Sequence, residues 1–266
     1  DGLVAVKGAT LTIEPGTTII GKSGTGVNTS YLVIDKDAKI MADGTAAEPI
    51  IFTSRASYED GTEAPGQWGG LTIIGNANMD GQVTCYEVDT QYCPGSLATG
   101  GGTTSATDDS GILDWVEVNN SGKLVETDKE INGLSLVGVG SGTQVSNVTV
   151  NRSDDDCIEI WAGTVNLSNC TTNICTDDQF DTDDGYSGTV TNLTIYQDGG
   201  NAAMERSGNT NETYIGVTIT QVNSAKEGVL YFKGGDGIGG SFTNVTICDQ
   251  DYDPAYGVFH TNASTG

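Results

Sequence analysis

Between residues 142 and 205 the chain repeats itself three times. Ser146-Asn147-Val148-Thr149 runs to Asp155-Asp156-Cys157-Ile158-Glu159, and Ser168-Asn169-Cys170-Thr171 runs to Asp177-Asp178-Gln179-Phe180-Asp181. The third copy starts at Thr191-Asn192-Leu193-Thr194 and reaches Ala203-Met204-Glu205. Its asparagines step by 22 and 23 residues, and Glu159, Asp181 and Glu205 step by 22 and 24. A Gly-Thr pair precedes each copy, at Gly142-Thr143, Gly163-Thr164 and Gly188-Thr189. A unit this short cannot bury an apolar face alone and must stack on its neighbours, so a period in the low twenties predicts a β-solenoid.

In such a coil, side chains alternate inward and outward along each short strand. Val148, Val150, Leu193 and Ile195 are predicted to point in, and Thr149 and Thr194 to point out. Coils stack at about 4.8 Å, which places Asn147, Asn169, Asn192 and Asn244 in one predicted amide ladder, as in other stacked-strand assemblies. Their Asn-x-Ser/Thr triplets match the glycosylation acceptor pattern, but the repeat itself explains them. The Ala-, Leu-, Glu- and Lys-rich runs of an amphipathic helix are scarce. The predicted class is all-β, a single-stranded right-handed parallel β-helix with coils of about 22–25 residues. It forms one domain over residues 1–266, with an excursion at about 77–110 where the period breaks.

A second set of segments carries a resemblance. LTIEPGTTI, EPIIFTS and QWGGLTIIGNA, with the later DDDCIEIWAGTVNLSNCTT and DDGYSGTVTNLTIYQ, resemble the coils of secreted bacterial right-handed parallel β-helix repeat proteins, many of them cell-surface proteins of unknown role. The resemblance spans most of the chain. It implies the fold, and it implies no particular activity, because that group is defined by its coils and not by a shared active site.

Charge narrows the function. With 36 acidic and 11 basic residues the formal charge is −25, and the Lys and Arg clusters that nucleic acid requires are missing. Asp155 and Asp156 are predicted to stack over Asp177 and Asp178, and Glu159 to lie near Asp181 and Glu205. Carboxylates about 5 Å apart repel unless protonated or bridged by a cation, and an oxygen-only donor set suits calcium. The expectation is structural Ca2+ at these seven residues, weighed against solvated acidic turns that hold no metal.

Six cysteines occur with a single histidine and no CxxC, which argues against zinc. Cys85 and Cys93 flank a short loop and are predicted to pair. Cys157 and Cys175, about one coil apart, are candidates for a bridge between coils, Cys170 for a buried thiol, and Cys248 has no evident partner. An even cysteine count in a β-rich chain points to an oxidising, extracellular or cell-surface location. No transmembrane run is present, and the chain starts abruptly at Asp1 inside strand-like sequence, as a mature product or an excised fragment would.

Two rival functions remain. Asp155-Asp156-Cys157 resembles the element that carries the acid/base carboxylates of polygalacturonases, and glycoside hydrolysis needs two carboxylates. The Gly-His-Gly, Arg-Ile-Lys and Asn-Thr-Asp elements of that family are missing here. A calcium-dependent lyase needs a basic residue beside the metal, for which Arg152 is the candidate. Trp161 and Tyr186, just after the acidic turns, are candidate glycan contacts that offer apolar faces to sugar rings. The preferred expectation is a non-enzymatic extracellular structural or surface protein, stabilised by calcium and associating end to end into a fibre through unpaired strand edges. A carbohydrate-binding or polysaccharide-cleaving β-helix is the alternative.

Overall fold

The computed structural model describes residues 2–77, 105–126, 129–223, 226–234, 237–249 and 259–262. Parallel strands wind the chain into a right-handed β-helix with two main faces. Nine strands form the first sheet, from Leu3–Val6 through Tyr31–Ile34, Leu71–Ile74, Leu134–Val137, Ile158–Trp161, Phe180–Asp183, Ala202–Arg206 and Gly228–Lys233 to Phe259–Asn262. An eleven-stranded second sheet includes Gly111–Asn119, Gln144–Asn151, Thr189–Asp198, Thr213–Asn223 and Ser241–Asp249. The repeat register holds in space: Glu159 pairs with Asp181, and Asp181 with Glu205.

Alternation explains the core. Val148, Val150, Leu193 and Ile195 are fully buried in one continuous apolar column with Leu134, Ile158 and Phe180. Toward the C-terminal coils the column becomes polar. Arg206 and Glu212 lie inside the coil, with Nε to Oε1 at 2.7 Å and Nη2 to Oε2 at 2.8 Å. Thr182 and Tyr214 hydroxyls donate to the same Oε1 at 2.9 Å each. The guanidinium also stacks near the Tyr214, Phe232 and Phe242 rings.

The asparagine ladder is only partly as expected. Trp115, Asn147, Asn169, Asn192, Gly216 and Asn244 occupy one register position at a bend in the second sheet, all with positive φ. Left-handed backbone costs most non-glycine residues about 1–2 kcal/mol, and Asn and Gly bear it best, so backbone conformation selects these residue types. Asn192 Nδ2 donates to Asn169 Oδ1 at 3.0 Å, whereas Asn147 Nδ2 donates to Asp114 Oδ1 at 2.7 Å. Gly216 separates Asn192 from Asn244, so the four do not form one ladder. An unforeseen ladder runs beside it: Asn173 donates to Asn151 at 2.6 Å, and Asn151 to Asn119 at 2.7 Å.

Two departures from the coil matter for the surface. Ser54 caps a short helix, Arg55–Asp60, accepting from Ser57 N at 2.9 Å, and Gly61 ends it at φ 68°. An antiparallel pair, Lys123–Glu126 with Lys129–Ile131, brings Val125 and Ile131 onto the outer face of the first sheet. There they pack with Tyr31, Val33, Ile74 and Val137. The middle of the expected excursion at 77–110, with the Cys85–Cys93 pairing, lies outside the described residues.

Candidate metal-binding groove

Along the outer face of the first sheet one register column reads Val33, Thr72, Ser135, Glu159, Asp181, Glu205 and Tyr231. Its first half is covered by the antiparallel pair, while its second half is acidic and borders an open groove. In the turn ahead of each strand a second column forms. Asn132 Oδ1 accepts from Asp156 N at 3.1 Å, Asp156 Oδ1 from Asp178 N at 2.9 Å, and Asp178 Oδ1 from Ala202 N at 2.5 Å. Each acid therefore ties its coil to the next through the backbone; Asp156 lines the groove, and Asp178 is buried outside its lining.

All seven acids predicted from the sequence converge. Asp155, Asp156 and Asp177 form one set, Asp156, Glu159 and Asp181 a second, and Asp178, Asp181 and Glu205 a third; within each, the ligand oxygens lie within 4.8 Å of one another. Asp156, Asp178, Asp181 and Glu205 are each less than one-tenth exposed. Asp181 Oδ1 is buried with no hydrogen-bond partner among the described residues. A groove of about 580 Å³ opens over part of this cluster, bordered also by Asn132, Asn201, Lys226 and Lys233.

Burial, and then repulsion from neighbouring carboxylates, pushes Asp156, Asp178 and Asp181 well above the usual carboxylate range. Burial also raises Asp177, and it raises Glu205 against the opposing pull of Lys233. Lys233 Nζ donates to Glu205 Oε1 at 2.8 Å. Burial pulls Lys233 down, but the bond and charge of Glu205 outweigh it, and the ammonium is held more firmly than usual. The donor set is oxygen only and in part desolvated, which fits a hard divalent cation such as Ca2+. No nitrogen or sulfur ligand stands in it, so it suits softer metals poorly.

The chain matches the pectate-lyase-like β-helix domain over residues 1–252. It belongs to that family. No curated protein and no solved structure gives a match. Within a pectate-lyase-like β-helix, the fold is shared more widely than any chemistry, so the site must be argued from its own residues.

Several expected contacts fall elsewhere in this β-helix. Tyr186 is not a surface platform: it is fully buried and its hydroxyl donates to the Val165 carbonyl at 2.8 Å. The register partner of Trp161 is Asp183, not Tyr186. Two consecutive left-handed residues, Asp184 at φ 51° and Gly185 at 83°, then turn the chain so that Tyr186 enters the core. Trp161 is half-buried against the apolar cluster on the covered part of the face. Arg152 pairs with Glu63 at 3.8 Å and does not line the groove.

The cysteine readings can be placed too. Cys157 and Cys175 form a disulfide with a Cα–Cα distance of 5.5 Å, Cys170 is a buried free thiol, and Cys248 is free and exposed. Sequence reasoning missed Asn132, Asn201, Lys226 and Lys233. Lys233 lies two residues beyond Tyr231, the register partner of Glu205, and reaches back to Glu205 across the coils, so counting along the acidic column does not find it.

Proposed function

We propose that this chain is a non-enzymatic extracellular structural or surface β-helix whose outer acidic groove holds calcium. The observation that carries this reading is Asp181: a carboxylate oxygen buried without a hydrogen-bond partner among the described residues, with Asp156, Asp178, Glu159 and Glu205 around it. An unpaired buried charge is costly, and a cation with several vacant oxygen sites removes that cost. The Cys157–Cys175 disulfide supports an oxidising location. Among the described residues no helix is long and apolar enough to cross a membrane.

Calorimetric titration of the chelator-treated chain with calcium tests the reading. Heat of binding that Asp181→Asn weakens at least tenfold, together with a raised melting temperature in calcium, is the expected result. A chain that takes up no calcium and melts alike with and without chelator would refute it.

End-to-end association is the second part of the proposal. Val4 and Ile20 are exposed at the first coil, beside an apolar hollow lined by Leu11, Ile13, Ile19 and Trp68, and an open strand edge templates pairing. Sedimentation at rising concentration is expected to show growth beyond a monomer; a strictly monomeric chain would remove this part alone.

Family membership favours polysaccharide cleavage at the groove as a second reading. Against it stands the firmly protonated Lys233, a poor base for abstracting a proton. Calcium-dependent release of unsaturated products from a uronate polymer would replace the structural proposal with this one.

A further inference from the structure

Trp115 occupies a backbone position that its residue type disfavours. Its φ is 49°, at the bend where the aligned coils place Asn147, Asn169, Asn192, Gly216 and Asn244. For a bulky side chain this is a genuine outlier, and such outliers cluster at functional sites. Packing does not account for it, because the side chain remains 38 % exposed. Its surroundings form a groove of about 270 Å³ lined by Pro49, Trp115, Glu117, Asn147, Thr149 and Asn169, together with Thr171. That is slightly below the roughly 300–1,000 Å³ of small-molecule sites, and suits one or two sugar units of a longer chain.

The polar groups around the indole converge by register. Pro49 precedes Ile50, the partner of Val116, so it stands beside Trp115 on one side, with Asn147 on the other. Glu117, Thr149 and Thr171 form the neighbouring outward row. Asn169 uses its Oδ1 to accept from Asn192, and its Nδ2 has no partner among the described residues, leaving a donor at the groove. An aromatic face with an amide donor, two hydroxyls and a carboxylate acceptor matches the two aspects of a pyranose, an apolar C–H face and a rim of hydroxyls.

We propose that this groove on the second sheet is a binding site for a neutral saccharide, with Trp115 as the stacking platform. Glu117 accepts hydrogen bonds from sugar hydroxyls and repels uronates, since among the described residues no cation lines the groove to offset it. The site shares no residue with the acidic groove of the first sheet, so it does not depend on calcium.

The test uses the whole chain on an array of neutral and acidic oligosaccharides, followed by titration of the best neutral ligand. Trp115→Asn installs the residue type of the neighbouring coils. It is expected to lower affinity at least tenfold while the melting temperature holds or rises, because the left-handed backbone is relieved. Trp115→Phe, which keeps a smaller platform, is expected to bind with intermediate affinity, and chelator to leave binding unchanged. Three outcomes would overturn the proposal: no neutral glycan bound by the wild-type chain, undiminished binding by Trp115→Asn, or a marked drop in the melting temperature of that variant, which would make Trp115 a packing residue.

Discussion

Without metal, the acidic groove should give this protein an inverted dependence of stability on pH, and Asp181→Asn isolates the cause. Asp181 belongs to two carboxylate sets whose ligand oxygens lie within 4.8 Å. At an effective dielectric of about 20, each ionised neighbour at that distance costs about 3.5 kcal/mol, and two cost about 7. Holding a carboxyl of ordinary pKa 3.8 neutral at pH 7 costs about 4.4 kcal/mol. Protonation is the smaller penalty, so the metal-free groove retains protons.

The folded-state values of Asp156, Asp178 and Asp181 then lie above their unfolded values. The folded chain binds more protons between the two, and stability falls as pH rises from about 4 through the raised values. Bound calcium favours the ionised form and reverses the slope, so that stability is present at neutral pH and lost on acidification. Asp181→Asn keeps the size and removes the charge. It relieves at most about 4 kcal/mol in the metal-free chain at pH 7, a ceiling of roughly 8–16 °C in melting temperature for a chain of this size, and it reduces the gain from calcium. Thermal melts at acidic and neutral pH, in chelator and in excess calcium, measure both slopes. Wild-type midpoints that rise with pH in both conditions, with Asp181→Asn no more stable in chelator, would show that the metal-free groove does not retain protons.

Other perturbations probe the frame around the groove. Replacing Cys157 and Cys175 by serine opens a link across 18 residues and should cost about 3 kcal/mol by denaturant melting. In the native chain Cys170, buried and pushed up to about 12, should resist a thiol reagent that labels the exposed Cys248 promptly. Arg206→Ala leaves the fully buried Glu212 uncompensated and should cost about 3–5 kcal/mol in the same melts. Tyr186→Phe removes the donor to Val165, for a loss of about 1–2 kcal/mol.

The coil was legible because a stacked fold repeats its demands. Each coil needs apolar residues at the same inward positions, and the coils after that of Trp115 carry Asn or Gly at the same left-handed bend, so Val148, Val150, Leu193, Ile195 and the asparagines display the period directly. The acids of the groove were legible for the same reason: Glu159, Asp181 and Glu205 share one register column. Lys226 and Lys233 were not, because neither stands in that column: the partner of Glu205 is Tyr231, and Lys233 approaches it from two residues farther along the strand. Tyr186 misled because, like Trp161, it is an aromatic that follows an acidic turn, although the register sets it three residues beyond the partner of Trp161 and two left-handed residues direct it inward.

The linear chain by itself determined the β-helix, its inward face and the identity of the clustered carboxylates, since period and alternation are local properties carried along the strand. Folding in three dimensions settled which of those carboxylates lose water, which oxygen of Asp181 has no hydrogen-bond partner among the described residues, that Arg206 and Glu212 meet inside the coil, and that Trp115 stands exposed at a bend suited to asparagine. These depend on how one coil is covered by the next and by the Lys123–Ile131 excursion, and desolvation is set by neighbours in space whose distance along the chain varies from coil to coil.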